Sequence, residues 1–399
     1  MAMTGVRRRL SVVSALLALL TFVGVGGQMP AHATSDGADS SSSRLQTAID
    51  NLVAHPNGPP GVIVLVQRGS DLTVYRAGVA NSESGAPLRP GSHMRVASTA
   101  KAYSGGVALS LVEKGVLSLR DTVGERLPWA PRSWRRVTLG QALHHTSGLP
   151  DFSDDEGFLD YLRAHLEEAP TPRRLLGFVA DRDLMFEPGT EYHYSNSDNF
   201  VVGLMVQQAT GRRYERVLAD EVFEPLGLRR SSLPRGVQVP GPVLHGYDRE
   251  DDGALVDVTR LIAAGYAWAS GGIVSTPADQ NRFIRGYIGR ELFGQRTQRV
   301  QFDFRAGHSE PPGPGKNTAG LAVYRYRTGC GTMFGHTGNT PGYTQFTAAS
   351  RDGRRSVVVS ANRQTTPTVA PGVFRRLRNT FQLAVCAANR YSKAPSGRP

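Results

Sequence analysis

Lysine and cysteine are both scarce in this chain of 399 residues. Only four of the 46 basic side chains are lysines, namely Lys101, Lys114, Lys316 and Lys393, and arginine supplies the rest. The arginines are scattered along the chain, so the formal charge of +12 does not indicate a groove for nucleic acid. We expect solvated basic faces with, at most, a weak attraction to an anionic cell wall.

Several motifs of catalysis and cofactor binding are also missing. The chain contains no Gly-x-Ser-x-Gly turn, no His-Glu-x-x-His, no Cys-x-x-Cys and no phosphate-binding loop. Neither a metal nor a nucleotide is therefore implied, and we expect no cofactor.

The first 33 residues have the pattern of a secretory signal peptide. Three arginines (residues 7–9) precede a mostly apolar stretch over residues 10–25, and Ala31-His32-Ala33 offers a cleavage site. The apolar stretch is shorter than the ~20 residues that a membrane-spanning helix needs, although an uncleaved anchor is the alternative. We predict a secreted protein, released or associated with the cell wall, with no membrane span after cleavage.

The two cysteines, Cys330 and Cys386, form an even pair. In an exported protein such a pair predicts one disulfide, which would close a loop of roughly 55 residues and stabilise the fold by about 4 kcal/mol. The alternative is two reduced, buried thiols.

The order of secondary-structure signals predicts an α/β (α+β) fold. Small polar residues over 34–43 indicate a flexible linker, residues 44–389 form one domain, and residues 390–399 form a basic tail. Strand patterns occur near both chain ends, and a mainly helical region is inserted over about residues 121–258. We therefore predict an antiparallel sheet built from both chain ends and flanked by helices, with a cleft beside the inserted region.

Ser98 and Lys101 form a Ser-x-x-Lys motif at the start of a helix predicted to extend to residue 114. At this spacing both side chains lie on one helix face, where a neutral amine can take the proton of a serine nucleophile. No other lysine follows a serine at this distance. The alternative is a capping serine beside a solvated lysine.

Tyr194 and Asn196 form the only Tyr-x-Asn motif of the chain, just before a predicted buried helix over residues 200–209. A phenol can relay protons, and an amide side chain can hold a substrate carbonyl. The alternative is a turn in which the asparagine caps the helix.

The stretch GHTGNTPGY contains more than a turn requires. His336, Thr337 and Gly338 would supply a cationic or donor ring, a hydroxyl, and a glycine that lets substrate lie close to the strand. The alternative is a structural strand with a core histidine.

In this order, the three motifs resemble those of the penicillin-recognising serine hydrolases, in the branch of class C β-lactamases and secreted D-alanyl-D-alanine carboxypeptidases. The resemblance extends over about residues 45–386 and includes the stretches HHTSGLPDF, FEPGTEYHYSN and GYAWASGGIVSTPAD. It implies a β-lactamase/transpeptidase-like fold. His336 stands where class C β-lactamases have lysine, which is similar to the D-peptidase side of the branch.

The resemblance implies a role for each motif. Ser98 would be the acylated nucleophile, Lys101 and Tyr194 would share the proton transfers, and the backbone N–H groups of Ser98 and Asn339 would form the oxyanion hole. It also implies a set of substrate-binding residues: Asn196, Trp268, Arg325, His336, Thr337 and Gly338. The residue that would hold a terminal carboxylate is ambiguous, because either Tyr324 or Arg325 could stand at that position.

The function implied first is a D-alanyl-D-alanine carboxypeptidase acting on cell-wall peptides. The alternatives are a β-lactamase, an esterase or a D-amino acid amidase or peptidase on the same site, and a non-catalytic wall-binding protein. The expected partners are a peptide or small molecule with a D-amino acid or acyl group, and β-lactam antibiotics as acylating ligands. We expect a monomer and no nucleic acid.

Overall fold

The computed structural model describes residues 37–250, 252–368 and 370–389. The predicted signal peptide and the basic tail lie outside these residues. Within them, no helix is long and apolar enough to cross a membrane. The same residues contain no group of three or more histidine, cysteine, aspartate or glutamate side chains placed to hold a metal ion.

The strands follow the chain from residue 61 to residue 361. They are β1 (Gly61–Arg68), β2 (Asp71–Gly78), β3 (Met94–Arg95), β4 (Tyr247–Arg249), β5 (Leu255–Asp257), β6 (Val274–Ser275), β7 (Lys316–Gly320), β8 (Val323–Thr328), β9 (Gly331–Thr340), β10 (Tyr343–Ala349) and β11 (Arg355–Ala361).

The α-helices begin before the first strand and end after the last. They are α1 (Gly37–Val53), α2 (Ala100–Glu113), α3 (Val123–Arg126), α4 (Leu139–His144), α5 (Glu156–Ala164), α6 (Pro172–Leu176), α7 (Asn196–Thr210), α8 (Tyr214–Leu218), α9 (Trp268–Gly271), α10 (Pro277–Gly289), α11 (Gln295–Gln301) and α12 (Pro371–Asn389). Two short 3-10 turns, Ala97–Thr99 and Phe152–Asp154, contribute to the site described below.

Seven strands form one antiparallel sheet in the order β2-β1-β11-β10-β9-β8-β7. β1 pairs with both β2 and β11, so strands from near the two ends of the chain are neighbours within the sheet. β1 and β11 are almost wholly buried runs rich in valine, because both faces of the sheet are covered. The predicted sheet is thus confirmed.

Helices α1 and α12 cover one face of this sheet. Leu45, Ile49 and Leu52 recur at helical spacing on α1 and pack with Phe381 of α12 and with alternate residues of β1. Fully burying one such side chain stabilises the fold by about 1.5–3 kcal/mol. A disulfide between Cys330 and Cys386 ties the turn between β8 and β9 to α12.

The helical region between β2 and β7 packs on the opposite face. Its central helix, α2, is buried from Ala100 to Leu111 around its whole circumference, which is typical of a helix inside a large core. This burial includes Lys101, the one buried lysine among the described residues, and removes its amine from water.

Two predicted boundaries differ from the structure. Residues 37–43, predicted as part of a flexible linker, form the first turns of α1. A helix already anchored by its apolar stripe extends at little cost through serine, since only nucleation is expensive. The helical region is also longer than residues 121–258: it begins with α2 and ends with α11, and the hairpin of β4 and β5 lies inside it.

Candidate active site

Ser98 lies on the tight 3-10 turn Ala97–Thr99, which leads directly into α2. Ala97 has a φ of 52°, in the left-handed region that residues other than glycine rarely adopt. Ser98 is partly exposed, whereas Ala97 and Thr99 are buried. One helical turn later, Lys101 Nζ lies 3.3 Å from Ser98 Oγ. The structure therefore brings together the serine and the amine of the Ser-x-x-Lys motif.

The amine of Lys101 has two hydrogen-bond acceptors in addition to its contact with Ser98. Nζ donates to Asn196 Oδ1 at 2.7 Å and to the Ser270 carbonyl oxygen at 3.0 Å. A neutral amine has two hydrogens and one lone pair. Because the two acceptors take both hydrogens, the lone pair is left for the hydroxyl of Ser98.

The surroundings of Lys101 favour this neutral form. Burial lowers the pKa of Lys101 to about 7, although the carboxylates of Asp151, Glu310 and Asp198 oppose the shift. A large fraction of the amine is therefore unprotonated at neutral pH, as a general base requires.

Asn196 orients Lys101 and is itself fixed by Asp151. The backbone N–H of Asn196 donates to Asp151 Oδ2 at 2.7 Å, and its side-chain Nδ2 donates to the same oxygen and to Ser153 Oγ, each at 3.0 Å. These bonds identify Oδ1 as the atom that faces Lys101. The Nδ2 group of Asn196 has two protein partners in this structure, and its contact with the substrate amide stays a prediction.

Asp151 and Ser153 are site residues that the sequence motifs did not single out. Both lie at the 3-10 turn Phe152–Asp154, which Asp151 caps through the backbone N–H of Ser153. The only signal was their position inside the quoted run HHTSGLPDF and just after it.

Tyr194 lies against Lys101, with Nζ 4.8 Å from the centre of the ring. Burial raises the pKa of Tyr194 well above its usual value, Tyr324 adds to the shift, and the nearby Ser98 hydroxyl opposes it. The hydroxyl has no partner at full hydrogen-bonding geometry among the described residues. Tyr194 is thus a neutral phenol with a free donor next to the nucleophile.

Behind Tyr194 lies a buried pair that was also missed from the sequence. His145 Nδ1 is 2.8 Å from Asp198 Oδ2, and the His145 ring lies 4.6 Å from the Tyr194 ring. Burial lowers the pKa of His145 and raises that of Asp198, so both neutral forms are favoured. The pair is buried, and its imidazole packs against the tyrosine ring.

The end of β9 passes the nucleophile with one open edge. Its pairing with β8 ends at Gly335, whereas its pairing with β10 continues to Thr340. Thr340 and Tyr343 flank a two-residue turn, so the alternation of antiparallel hydrogen bonds directs the Asn339 N–H to the open edge.

Gly338 permits the close approach of β9 to this turn. A Cβ atom at position 338 would lie 2.6 Å from the Val96 carbonyl oxygen and 3.0 Å from the backbone nitrogens of Ser98 and Thr99. Only glycine leaves that space free. This close approach of β9 to Ser98 is what the predicted oxyanion hole, formed by the N–H groups of Ser98 and Asn339, requires.

The surroundings of His336 favour a neutral ring with an acceptor nitrogen rather than a cation. Its Nδ1 is hydrogen-bonded to the Thr337 carbonyl oxygen, which can only accept, so Nδ1 carries the hydrogen. Burial lowers the pKa of His336 to about 3, and the ring is therefore neutral. Its Nε2 is left as a bare acceptor with no partner among the described residues.

Thr337 and Trp268 do not line the cleft as predicted. Thr337 follows the alternation of β9 to the face opposite Gly338, where Oγ1 donates to the Pro311 carbonyl oxygen at 2.6 Å. Trp268 is 2% exposed, and its large apolar ring packs edge-on against Phe200 and Tyr214 in the helical core.

Tyr324 and Arg325 are the two residues that could stand at the position that holds a terminal carboxylate. Arg325 donates from Nε to Thr318 Oγ1 at 3.0 Å and lies over the Phe304 ring. Burial and the neighbouring Arg327 lower the pKa of Arg325. Tyr324 is buried and shares a hydrogen bond with another phenol. Arg325 thus donates one of its guanidinium hydrogens to β7, and its contact with substrate stays a prediction.

Comparison with known proteins shows which family the chain belongs to. A family model described as "Beta-lactamase" matches residues 49–380. The chain belongs to the β-lactamase family. The family predicted from the order of the three motifs is thus confirmed, and the site belongs to a serine hydrolase of this fold.

The relatives and structural neighbours of this chain are named for different activities. The D-aminopeptidase of Gluconobacter oxydans (strain 621H) is 29% identical over 221 residues, which are 53% of this chain but only 39% of that protein. The putative penicillin-binding protein PbpX of Bacillus subtilis (strain 168) is 25% identical over 312 residues, covering 77% of this chain and 71% of the relative. A D-stereospecific amidohydrolase from Streptomyces sp. has the same fold, with a TM-score of 0.74 at 24% identity over 85% of this chain and 98% of that one.

Proposed function

We propose that this serine hydrolase cleaves the amide bond that follows a D-amino acid residue, through an acyl-enzyme at Ser98. The observation that carries the proposal is the buried amine of Lys101, whose lone pair is left for the Ser98 hydroxyl. The preference for a D-residue is supported by the names of two relatives, a D-aminopeptidase and a D-stereospecific amidohydrolase.

Acylation begins when Ser98 Oγ attacks the carbonyl carbon of the scissile amide and Lys101 Nζ takes its proton. The substrate oxygen becomes negative and accepts hydrogen bonds from the N–H groups of Ser98 and Asn339. Removing one such donor typically costs ~100–1000-fold in rate. The C–N bond breaks as the leaving amine gains the proton from the Lys101 ammonium, directly or through the Tyr194 hydroxyl.

Deacylation uses the same groups in the reverse order. A water molecule attacks the ester carbonyl, Lys101 receives the proton of the water, and Ser98 leaves with a proton returned to Oγ. Because burial keeps Tyr194 protonated, its phenol acts as a donor and relay, and Lys101 is the base.

Two forms of this reaction fit the catalytic groups, and they differ in which charged end of the substrate is bound. A D-alanyl-D-alanine carboxypeptidase, favoured by the motifs, binds the terminal carboxylate of the leaving D-alanine. A D-amino acid amidase or aminopeptidase binds the free amine of the acyl residue. The second form is favoured by the engagement of Arg325 elsewhere.

The proposal is tested by labelling and by turnover. A labelled penicillin should form an adduct that peptide mass analysis locates at Ser98, and Ser98→Ala should abolish both the adduct and the hydrolysis of D-alanine p-nitroanilide. Ser70→Ala, on the exposed turn between β1 and β2, is the matched control and should retain both. A label on another residue would contradict the proposal. A wild type that hydrolyses no D-amide or peptide, but binds cell walls as well as Ser98→Ala does, would indicate the non-catalytic alternative.

We also propose that the protein is secreted, on the basis of the signal pattern in residues 1–33. Expression in an export-competent bacterium should yield an extracellular protein that begins at residue 34. An intact N-terminus in the membrane fraction would instead indicate an uncleaved anchor.

A further inference from the structure

Glu310 is a carboxylate beside the active site that the catalytic mechanism does not use. It is half-buried, and it forms no hydrogen bond or ion pair with another residue in the described part of the chain. The next residue, Pro311, accepts a hydrogen bond from Thr337, so Glu310 lies next to the open end of β9. Its charged neighbours are Asp151, Asp154 and the amine of Lys101.

This surrounding lacks the positive charge that a partly buried carboxylate needs. Burial raises the pKa of Glu310 to about 7, Asp151 and Asp154 add to the shift, and only Lys101 opposes it. Lys101, whose own pKa is lowered to about 7, carries only part of a positive charge at neutral pH. A carboxylate removed from water and faced by like charges is costly unless a cation pairs with it. A ligand with an ammonium group would supply that cation.

His336, near the open end of β9, provides a second and independent observation. Its side chain is 1% exposed, and its Nε2 is an acceptor without a partner among the described residues. Its ring contacts the Tyr324 ring edge-on at 4.9 Å, and Tyr324 also interacts electrostatically with Glu310. Tyr324 therefore lies near two groups, the Glu310 carboxylate and His336 Nε2, that have no hydrogen-bond partner among the described residues.

The region around Glu310 is unsuited to a terminal carboxylate. The guanidinium of Arg325 is bonded to Thr318, and Arg182 pairs with Asp155 and faces Asp154. A carboxylate placed beside Glu310 would meet a like charge and a bare acceptor nitrogen, which is repulsive.

We propose, on the basis of the hydrolase function above, that Glu310 binds the free α-ammonium group of the substrate, with His336 Nε2 as a further acceptor. The substrate class is then D-amino acid amides and peptides whose first residue is an unblocked D-amino acid. The bond that breaks is the amide bond after that residue, and the products are a D-amino acid and an amine or a shortened peptide.

The test compares D-alanine p-nitroanilide with its N-acetyl derivative. Wild type is expected to prefer the free amine by at least about 30-fold in kcat/KM, because a buried charge pair is lost on acetylation. Glu310→Gln should reduce this ratio by at least about tenfold. Asp303→Asn removes an exposed carboxylate paired with Arg305, is the matched control, and should retain the ratio. Thermal unfolding and turnover of p-nitrophenyl acetate verify that each variant is folded and acylated.

The outcomes separate the two proposals. Equal rates on the free and acetylated amides, or an unchanged ratio in Glu310→Gln, would overturn amine recognition while ester turnover at Ser98 leaves the hydrolase intact. Efficient release of D-alanine from N-acetyl-D-alanyl-D-alanine would overturn it in favour of the carboxypeptidase. If neither ester nor amide is turned over and penicillin leaves no adduct, both proposals fail.

Discussion

The active site has two walls that are built differently. The helical wall is formed by Lys101, Asn196 and Asp151, and the sheet wall by His336 and the end of β9. On the helical wall, Lys101 and Asn196 have their polar atoms bonded to protein partners, and Asp151 fixes the asparagine from behind. On the sheet wall, His336 Nε2 has no partner within the described residues, and the edge of β9 is open beyond Gly335.

This difference separates two tasks. A satisfied network in a buried place holds the Lys101 amine in one geometry, because any unmade hydrogen bond there would be costly. Open acceptors and an unpaired strand edge are costly without ligand and favourable with it, so they serve recognition. The helical wall thus positions the groups that transfer protons, and the sheet wall offers hydrogen-bonding groups that a substrate can pair with.

The largest effect on turnover is expected on the helical wall. Lys101→Met removes the base that accepts the proton of Ser98, and kcat/KM should fall by roughly 10³-fold or more. Lys114→Met, at an exposed position near the end of the same helix, is the matched control and should change kcat/KM less than twofold. Steady-state kinetics with a D-amide measure both. Near-normal turnover in Lys101→Met would mean that Tyr194 is the base instead.

On the sheet wall, Gly338→Ala should reduce kcat/KM by about 100–1000-fold, the cost of a displaced oxyanion donor. The added Cβ meets the backbone on either side of the nucleophile and pushes β9 away from it. Gly329→Ala, in the turn before the same strand, has no atom within 4 Å of the new Cβ and serves as the control. Equal activity of both variants would disprove the close approach of β9.

A smaller effect, tenfold per pH unit, is expected from the protonation of Lys101. The ammonium has no lone pair, so kcat/KM for p-nitrophenyl acetate should fall as the pH drops below about 7 and level off above it. Glu310→Gln removes a negative charge that favours the ammonium, so the acidic limb of the pH–rate profile, where kcat/KM falls, should move to lower pH. Asp303→Asn should leave it in place. A limb near pH 10 would show that the amine is charged at neutral pH.

The smallest effect on turnover is expected from the disulfide, which lies at the far end of β9. Replacing Cys330 and Cys386 by serine should lower the free energy of unfolding by about 4 kcal/mol, because the bond closes a 56-residue separation. The kcat/KM at 25 °C should stay within twofold. Denaturant unfolding with and without reductant measures the first value, and reductant should not affect the double variant. A large loss of turnover would mean that the sheet wall depends on this bond.

Local motifs made part of this site predictable. Ser98 and Lys101 are one helical turn apart, so their contact follows from helix geometry alone. Thr337 shows where the same reasoning failed. Its neighbours in the motif face the cleft, but the strand period of two turns its own side chain to the opposite face. Trp268 failed for another reason, since its burial depends on contacts with helices α7 and α8 that no local pattern reports.

By itself, the sequence determined the order of strands and helices, the sheet formed by both chain ends, and the types of groups that perform the chemistry. These follow from periodicity and from spacing within a few residues. Only the tertiary structure decided that Lys101 is buried with its pKa lowered to about 7, that Asn196 is bonded to Asp151, and that Glu310 lies partly buried with Asp151, Asp154 and Lys101 as charged neighbours. The physical reason is that the partners of Lys101 lie 95 and 169 residues away, and burial arises only when the chain has folded around them.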